Sequence, residues 1–207
     1  GKWTTRHQIY TVANSDRGKA SDRKLIPIKN TTVLDKKFTT LSQKFKQQGY
    51  TTCHSGKWHL SNEPLEYGFD INIAGGPDGA PGSYYPPYEN KNNQVIIERG
   101  KSEYLTDLIM EKTLLFLDDV NGPFFLNYSP YAVHTPIHPV DSLMYKYEKK
   151  SPYKGQKNPK YATMVENLDR NIGLMVEKLK KRKLFDNTFI IFTSDNGGYY
   201  GKITMQK

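Results

Sequence analysis

The chain of 207 residues has a formal net charge of +9, and 36% of its residues are hydrophobic. This length suits one sizeable domain or a small pair of domains. No segment approaches the ~20 apolar residues of a membrane span. The single cysteine, Cys53, excludes an internal disulfide but does not indicate the redox compartment. The basic charge predicts attraction to polyanions such as nucleic acid, anionic membrane or acidic polysaccharide.

The first 35 residues are polar and irregular, and only the run 9–12 predicts a brief strand. No charged and then apolar leader follows Gly1, so we expect any export signal to have been removed or to lie outside this sequence. The pair Thr39-Thr40 as the cap and Gly49 as the terminator then predict a helix of about two to three turns.

Residues 50–53 predict the next strand, which ends in the polar exit 56–60. The following stretch, 61–101, is rich in Gly, Pro, Asn and Tyr and has no long periodic pattern. Because long loops in compact domains are usually functional, we interpret this stretch as an ordered excursion near a binding face.

Apolar spacing predicts a helix over 105–117 and a buried strand over 124–128. The strand ends in 131–136, where a proline prevents a helix from following directly. Asn158 as a cap and Pro159 at the first helical position then open the longest predicted helix, which we expect to pack on a sheet. Its apolar stripe consists of Tyr161, Val165, Leu168, Ile172, Met175 and Leu179.

The apolar run 187–192 predicts a final buried strand, which leads into the polar stretch 193–198. The order helix, strand and polar exit therefore occurs three times. This order predicts an α/β fold, an α/β/α sandwich with a mostly parallel central sheet, in which residues 1–207 belong to a single domain. The carboxyl ends of the strands should carry the functional groups.

Three strand exits carry groups with chemistry: Lys57 and His59, then His134, then Asp195 and Asn196. Each of these residues alone has a structural role at least as often as a functional one. Together they offer two imidazoles for proton transfer, a cation to bind an oxyanion, and hard oxygen ligands for Ca²⁺ or Mg²⁺. Together they suit hydrolysis of a sulfate or phosphate ester.

The motifs at these exits resemble the signatures of the type I sulfatases of the alkaline-phosphatase-like superfamily. The matching segments, in the order of the family, are Gly56-Lys57-Trp58-His59-Leu60, His134-Thr135-Pro136 and Ser194-Asp195-Asn196-Gly197. Segments 6–10 and 82–88 are most similar to bacterial polysaccharide sulfatases. The resemblance implies a periplasmic or extracellular protein that acts on a sulfated carbohydrate.

The resemblance also implies a role for each matching residue. Lys57 would contact the sulfate oxygens and support the nucleophile, and His59 would bond the nucleophile and help the covalent sulfate ester to collapse. His134 would contact the sulfate and is a candidate to protonate the leaving alcohol. Asp195 and Asn196 would be two ligands of one Ca²⁺ ion, and Asn196 could also touch the nucleophile.

Other parts of the family pattern are absent from this sequence. The family's formylglycine nucleophile arises in a Cys/Ser-x-Pro-Ser-Arg motif, and Cys53 does not lie in one. We expect that motif and the remaining calcium ligands upstream of Gly1, and a second lysine after Lys207. The pair Asp118-Asp119 is interpreted as a solvated helix end. As an internal fragment, incomplete at both ends, the chain itself should be inactive.

Three hypotheses remain open from the sequence. The first is a sulfuric ester hydrolase that acts on a sulfated polysaccharide or oligosaccharide, with the Tyr-rich segment 84–88 stacking on sugar rings. The second is a phosphoryl or phosphonate ester hydrolase of the same superfamily, and the third is a non-catalytic module that binds polyanions. Nucleic-acid binding ranks last because no recognisable motif accompanies the charge. We interpret the basic cluster 178–183 as a solvated helix end.

Overall fold

The computed structural model describes residues 3–10, 20–25, 28, 30–61, 63–154 and 156–198. Five α-helices occur in these ranges: α1 (Thr4–His7), α2 (Leu41–Gln47), α3 (Leu105–Asp119), α4 (Asp141–Glu148) and α5 (Pro159–Lys181). The strands are β1 (Thr51–Gly56), β2 (Ile71–Ile73) and β3 (Phe124–Ser129), and short 3-10 turns lie at Ala20–Asp22, Pro64–Tyr67 and Phe185–Asn187. No helix within the described ranges is both long and apolar enough to cross a membrane.

The three strands form one parallel sheet with β1 in the centre, in the order β2-β1-β3. Cys53 of β1 lies opposite Ile71 on one side and Leu126 on the other. Since parallel strands need crossover connections, the long loop and α3 lie between β2 and β3 in the chain. All three carboxyl ends therefore meet at the same edge of the sheet.

Alternate residues of β1 face two different helical layers. Thr52 and His54 share the face on which Phe45 of α2 stacks against Phe125, with ring centroids 4.6 Å apart. On the other face, the Ser55 hydroxyl lies 2.7 Å from the Thr113 hydroxyl of α3. Helices thus cover both faces of a parallel sheet, which confirms the predicted α/β/α arrangement.

The helix predictions hold in their bounds, although α5 packs differently from the expectation. The Thr40 side chain caps α2 in a full capping box with Gln43, and Asn158 caps α5. However, α5 packs mainly on α3 and α4 rather than on the sheet. Within the predicted stripe Leu179 is buried, but Val165 remains 45% exposed.

The basic cluster 178–183 stabilises the end of α3. Lys178 forms an ion pair with Asp118 at 2.6 Å, and Arg182 donates hydrogen bonds to the carbonyl groups of Leu117 and Asp118. These contacts satisfy the last carbonyls of α3, where a positive charge is also favoured by the helix dipole. The interpretation of Asp118 as part of a helix end is therefore confirmed.

The strand predictions succeed at 50–53 and 124–128 and fail elsewhere. The strand β2 was not predicted, and neither Ile9 nor Tyr10 of the predicted strand 9–12 is in a strand, while the rest of that run lies outside the described residues. The predicted final strand, 187–192, is wrong for this structure, because Asn187 ends a 3-10 turn and residues 188–192 are not in a strand. Phe189 is 100% exposed and Ile191 is 87% exposed. A strand needs a neighbour for its backbone groups, and β1, β2 and β3 provide none here.

The described part of the excursion 61–101 is ordered, as predicted, but Tyr84 and Tyr88 of its Tyr-rich segment are buried. Tyr84 is 0% exposed and Tyr88 is 6% exposed. Their hydroxyl groups donate hydrogen bonds to the carbonyls of His134 and Glu103. Stacking of these two rings on a sugar is therefore excluded by burial, and Tyr84 instead supports the exit of β3.

Candidate active site

The exit of β1 turns sharply at Gly56 because β3 approaches very closely there. Gly56 has φ +101°, and a Cβ atom at this position would lie 2.1 Å from the carbonyl oxygen of Ser129. Only glycine is compatible with both the backbone angle and this contact. The next amide, that of Lys57, donates a hydrogen bond of 2.6 Å to the same carbonyl. The close approach thus fixes where Lys57 leaves the sheet.

His59 is held against the loop that follows β2. Its backbone lies in the left-handed region, with φ +57°, and its amide donates to the carbonyl of Gly76 at 3.0 Å. A Cβ atom at Gly79 would lie 2.2 Å from Nδ1 of His59, so the imidazole packs directly on the backbone of that glycine. Tyr131 ties the same loop to the exit of β3, through a hydrogen bond from its hydroxyl to the carbonyl of Ala74 at 2.9 Å.

His134 is exposed at the exit of β3 and has a defined tautomer. Its Nδ1 lies 2.9 Å from the carbonyl oxygen of Thr135, which can only accept a hydrogen bond. A hydrogen bond to this oxygen requires a proton on Nδ1. Two hydrogen bonds fix the backbone of His134. Its amide donates to the carbonyl of Tyr131 at 3.0 Å, and its carbonyl accepts from the Tyr84 hydroxyl at 3.1 Å.

The pKa of His59 responds to the charged groups around it. Burial lowers the pKa of His59 below 6.5, and the charge of Lys57 lowers it further. Asp78 opposes that shift and His134 adds to it, so each of these three groups affects the pKa of His59. A neutral imidazole beside a lysine suits hydrogen bonding to an uncharged hydroxyl.

Asp195 and Asn196 follow the run 187–192, which is not a strand of the described sheet. Both are exposed, and their region is held locally by the Ser194 hydroxyl, which donates to the carbonyl of Asn196 at 2.5 Å. Within the ranges that the structure describes, no hydrogen bond or ion pair joins either residue to Lys57, His59 or His134.

The oxygen atoms of Asp195 and Asn196 have the right chemistry for Ca²⁺, but they do not make a site by themselves. Ca²⁺ takes about six to eight oxygen ligands. The described part of the chain contains no group of three or more His, Cys, Asp or Glu residues that could hold a metal ion. The residues present therefore fit only a fraction of such a site.

Sequence reasoning missed Asp78, His54 and Asn127 as neighbours of the site. Asp78 lies in the aperiodic loop, where no pattern indicates its direction, and its carboxylate accepts from the amide of Gln94 at 2.8 Å. His54 and Asn127 face each other across β1 and β3, with Nδ1 of His54 3.0 Å from Nδ2 of Asn127. Asn127 lies in the predicted strand 124–128, and His54 directly follows the predicted strand 50–53, which was the available signal.

Comparisons with known proteins identify the family to which this chain is similar. The Sulfatase family model matches residues 5–206. The N-acetylgalactosamine-6-sulfatase of Homo sapiens is 29% identical over 182 residues, which cover 76% of this chain and 32% of that protein. A sulfatase of Formosa agariphila is 34% identical over 127 residues, which cover 56% of this chain and 23% of that protein.

A solved structure of Ps i-CgsB in complex with k-i-k-neocarrahexaose has a TM-score of 0.59 and 27% identity, and the match covers 78% of this chain and 41% of that chain. The chain spans about a third of the length of the curated relatives it matches. Its fold is that of the alkaline-phosphatase-like sulfatases. Since the family model matches almost the whole sequence, the chain belongs to the sulfatase family.

Proposed function

We propose that the full-length protein is a sulfuric ester hydrolase that removes sulfate from a sulfated polysaccharide or oligosaccharide. The observation that supports this proposal is the parallel pairing of β1 and β3, whose carboxyl ends are followed by Lys57 and His59 and by His134, and the effect of Lys57 and His134 on the pKa of His59. In this reaction the ester S–O bond is broken, water supplies the new S–O bond, and the sugar hydroxyl takes up a proton.

Each residue has a task that its surroundings support. Lys57 binds the sulfate oxygens and offsets their charge as it develops. His134 is exposed, with Nδ1–H held by Thr135, so that Nε2 is free to take a proton from solvent and deliver it to the leaving oxygen. His59, kept neutral by burial and by Lys57, forms a hydrogen bond with the nucleophile.

Two further components belong to the proposal but lie outside this sequence or are incomplete in it. A formylglycine encoded upstream of Gly1 would supply the hydroxyl nucleophile. One Ca²⁺ ion, bound by Asp195 and Asn196 together with ligands from elsewhere in the full-length protein, would offset the charge of the sulfate group. Because the described residues supply so few ligands, we assign no step of the reaction to the metal.

The substrate class rests on charge and on the relatives. The formal charge of +9 favours a polyanionic substrate. The human relative is named for removing sulfate from an amino sugar, and Ps i-CgsB was solved with a neocarrahexaose. A periplasmic or extracellular location, where such polysaccharides occur, is proposed together with this substrate.

The test compares sulfate and phosphate esters with the full-length protein. We expect turnover of 4-nitrophenyl sulfate to exceed turnover of 4-nitrophenyl phosphate by at least ~100-fold in kcat/KM, equivalent to ~3 kcal/mol of transition-state discrimination. A preference for the phosphate ester would instead support the phosphoryl hydrolase hypothesis. Binding of a sulfated polysaccharide without turnover of either ester would support the non-catalytic module.

A further inference from the structure

His54 is a fully buried polar side chain in the strand that leads to Lys57. It is 0% exposed and lies two residues before Gly56, on the sheet face that α2 covers. A buried imidazole is costly unless both ring nitrogens have partners. Here Nε2 lies 3.0 Å from the carbonyl oxygen of Gly56, and Nδ1 lies 3.0 Å from Nδ2 of Asn127.

These partners determine the proton positions on His54. The Gly56 carbonyl can only accept a hydrogen bond, so Nε2 must carry the proton and donate it. Burial lowers the pKa of His54 to about 4, which leaves the ring neutral at pH 7 and Nδ1 without a proton. Nδ1 then accepts from the amide group of Asn127. The arrangement forms a chain of donors from β3 through His54 to the exit of β1.

The bond to Gly56 completes a clamp on one peptide unit. The Gly56–Lys57 peptide has its carbonyl held by His54 and its amide held by Ser129, at 2.6 Å from nitrogen to oxygen. With both ends fixed, this peptide cannot rotate without breaking a buried hydrogen bond. Its orientation determines the direction in which Lys57 leaves the strand.

His54 also contacts the residue between the two site residues. Its ring meets the Trp58 ring edge-on, with centroids 5.1 Å apart and planes at 72°. Trp58 is in turn held by a hydrogen bond of 2.7 Å from its indole to the Ser61 hydroxyl. The backbone between Lys57 and His59 is therefore supported from the same buried imidazole.

We propose that His54 is a positioning residue that aligns Lys57 and His59 for the reaction through its hydrogen bond to the Gly56 carbonyl. The inference deepens the proposed function and rests on it for its catalytic consequence. His54 does not touch substrate. It acts by fixing the peptide from which the two site residues leave the sheet.

Three variants of the full-length protein separate this role from simple packing. In His54→Gln the amide nitrogen reaches about as far as Nε2 and retains the donor to Gly56. In His54→Asn the amide reaches only the Nδ1 position, so the bond to Asn127 persists and the bond to Gly56 is lost. His54→Leu keeps the volume and removes both bonds.

We expect His54→Gln to keep kcat within about 3-fold of wild type, and the other two variants to lower kcat by roughly 10- to 100-fold, because small misplacements of positioned groups have effects of this size. The matched control is Asn171→Leu on α5, another buried polar residue, 2% exposed, whose amide bonds Asp107 at 2.7 Å. It should lower stability and leave kcat unchanged. Equal kcat in the Gln and Asn variants overturns the proposal.

A second readout does not depend on turnover. In histidine-labelled full-length protein, the NMR titration of His59 reports its distance from Lys57, Asp78 and His134, which all affect its pKa. We expect the His59 titration of His54→Gln to match wild type and that of His54→Asn to shift. A wild-type protein without sulfatase activity would refute the proposed function alone, whereas an unshifted His59 titration in all three variants would refute the positioning role.

Discussion

Substitution of Gly56 by alanine tests whether the close approach of β1 and β3 positions the site. The new Cβ atom would lie 2.1 Å from the Ser129 carbonyl oxygen and 2.7 Å from its carbon. Both neighbours are backbone atoms, so the strands themselves must separate. The hydrogen bond from the Lys57 amide to the Ser129 carbonyl, which is 2.6 Å long in the wild type, would then be lost or lengthened.

The cost follows from two effects. Alanine at φ +101° carries a strain of ~1–2 kcal/mol, and loss of the buried hydrogen bond adds ~0.5–1.5 kcal/mol. The free energy of unfolding should therefore fall by roughly 2–3 kcal/mol. Because Lys57 moves with the strand exit, sulfate release should fall by more than ~10-fold as well.

Gly49 offers a matched control in the same chain. It also has a positive φ, +80°, but a Cβ atom there would have no neighbour within 4 Å. Gly49→Ala should therefore cost only the strain of ~1–2 kcal/mol and leave turnover unchanged. Urea unfolding followed by circular dichroism gives both stabilities. If Gly56→Ala were no more destabilised than Gly49→Ala and equally active, the close approach would have no role in the site.

Three further predictions concern single residues of the full-length protein. His134→Ala should slow sulfate release most for esters with poor leaving groups, and equal losses for aryl and alkyl sulfates would contradict its role as proton donor. Asp195→Ala should lower calcium affinity and activity together, and calcium dependence equal to wild type would show that the metal assignment is wrong. Burial lowers the pKa of His54 from 6.5 to about 4. Between pH 6.5 and about 4, the unfolded chain therefore protonates this imidazole more readily than the folded protein does. The free energy of unfolding should therefore fall as pH drops from 6.5 to about 4, by at most ~3 kcal/mol, and this fall should be smaller in His54→Leu.

Sequence reasoning predicted the parts of the fold that depend on local signals. The caps at Thr40 and Asn158 act within one helical turn, so they are readable from the residues alone. The apolar runs at 50–53 and 124–128 form β1 and β3, which pair with each other in parallel. In these cases local pattern and tertiary pairing agree.

The wrong predictions all depend on tertiary contacts, which a local sequence pattern does not reveal. The run 187–192 has the composition of a strand but no neighbour in the described sheet, and its side chains stay exposed. The strand β2 is the opposite case, since Ile71–Ile73 is too short to stand out and exists because it pairs with β1. The Tyr-rich segment 84–88 was predicted to stack on sugar rings, but Tyr84 and Tyr88 are buried, and a loop pattern does not reveal burial.

The candidate site was predicted in part for the same reason. The residues Lys57, His59 and His134 follow the strands that form, and Lys57 and His134 both affect the pKa of His59. Asp195 and Asn196 follow the strand that does not form, and their assignment stays a prediction. Asp78 reaches His59 through tertiary packing of an irregular loop, which no sequence periodicity describes.

The most direct test of the proposed function is the release of inorganic sulfate from a sulfated polysaccharide, measured by ion chromatography with the full-length protein and its Lys57→Met variant. Methionine keeps the apolar stem and most of the length of lysine, and removes the ammonium group that should hold the sulfate. We predict sulfate release by the wild type and a loss of at least ~100-fold in the variant, with similar thermal stability. Equal release by both proteins, or tight binding of the polysaccharide without any release by the wild type, would contradict this function.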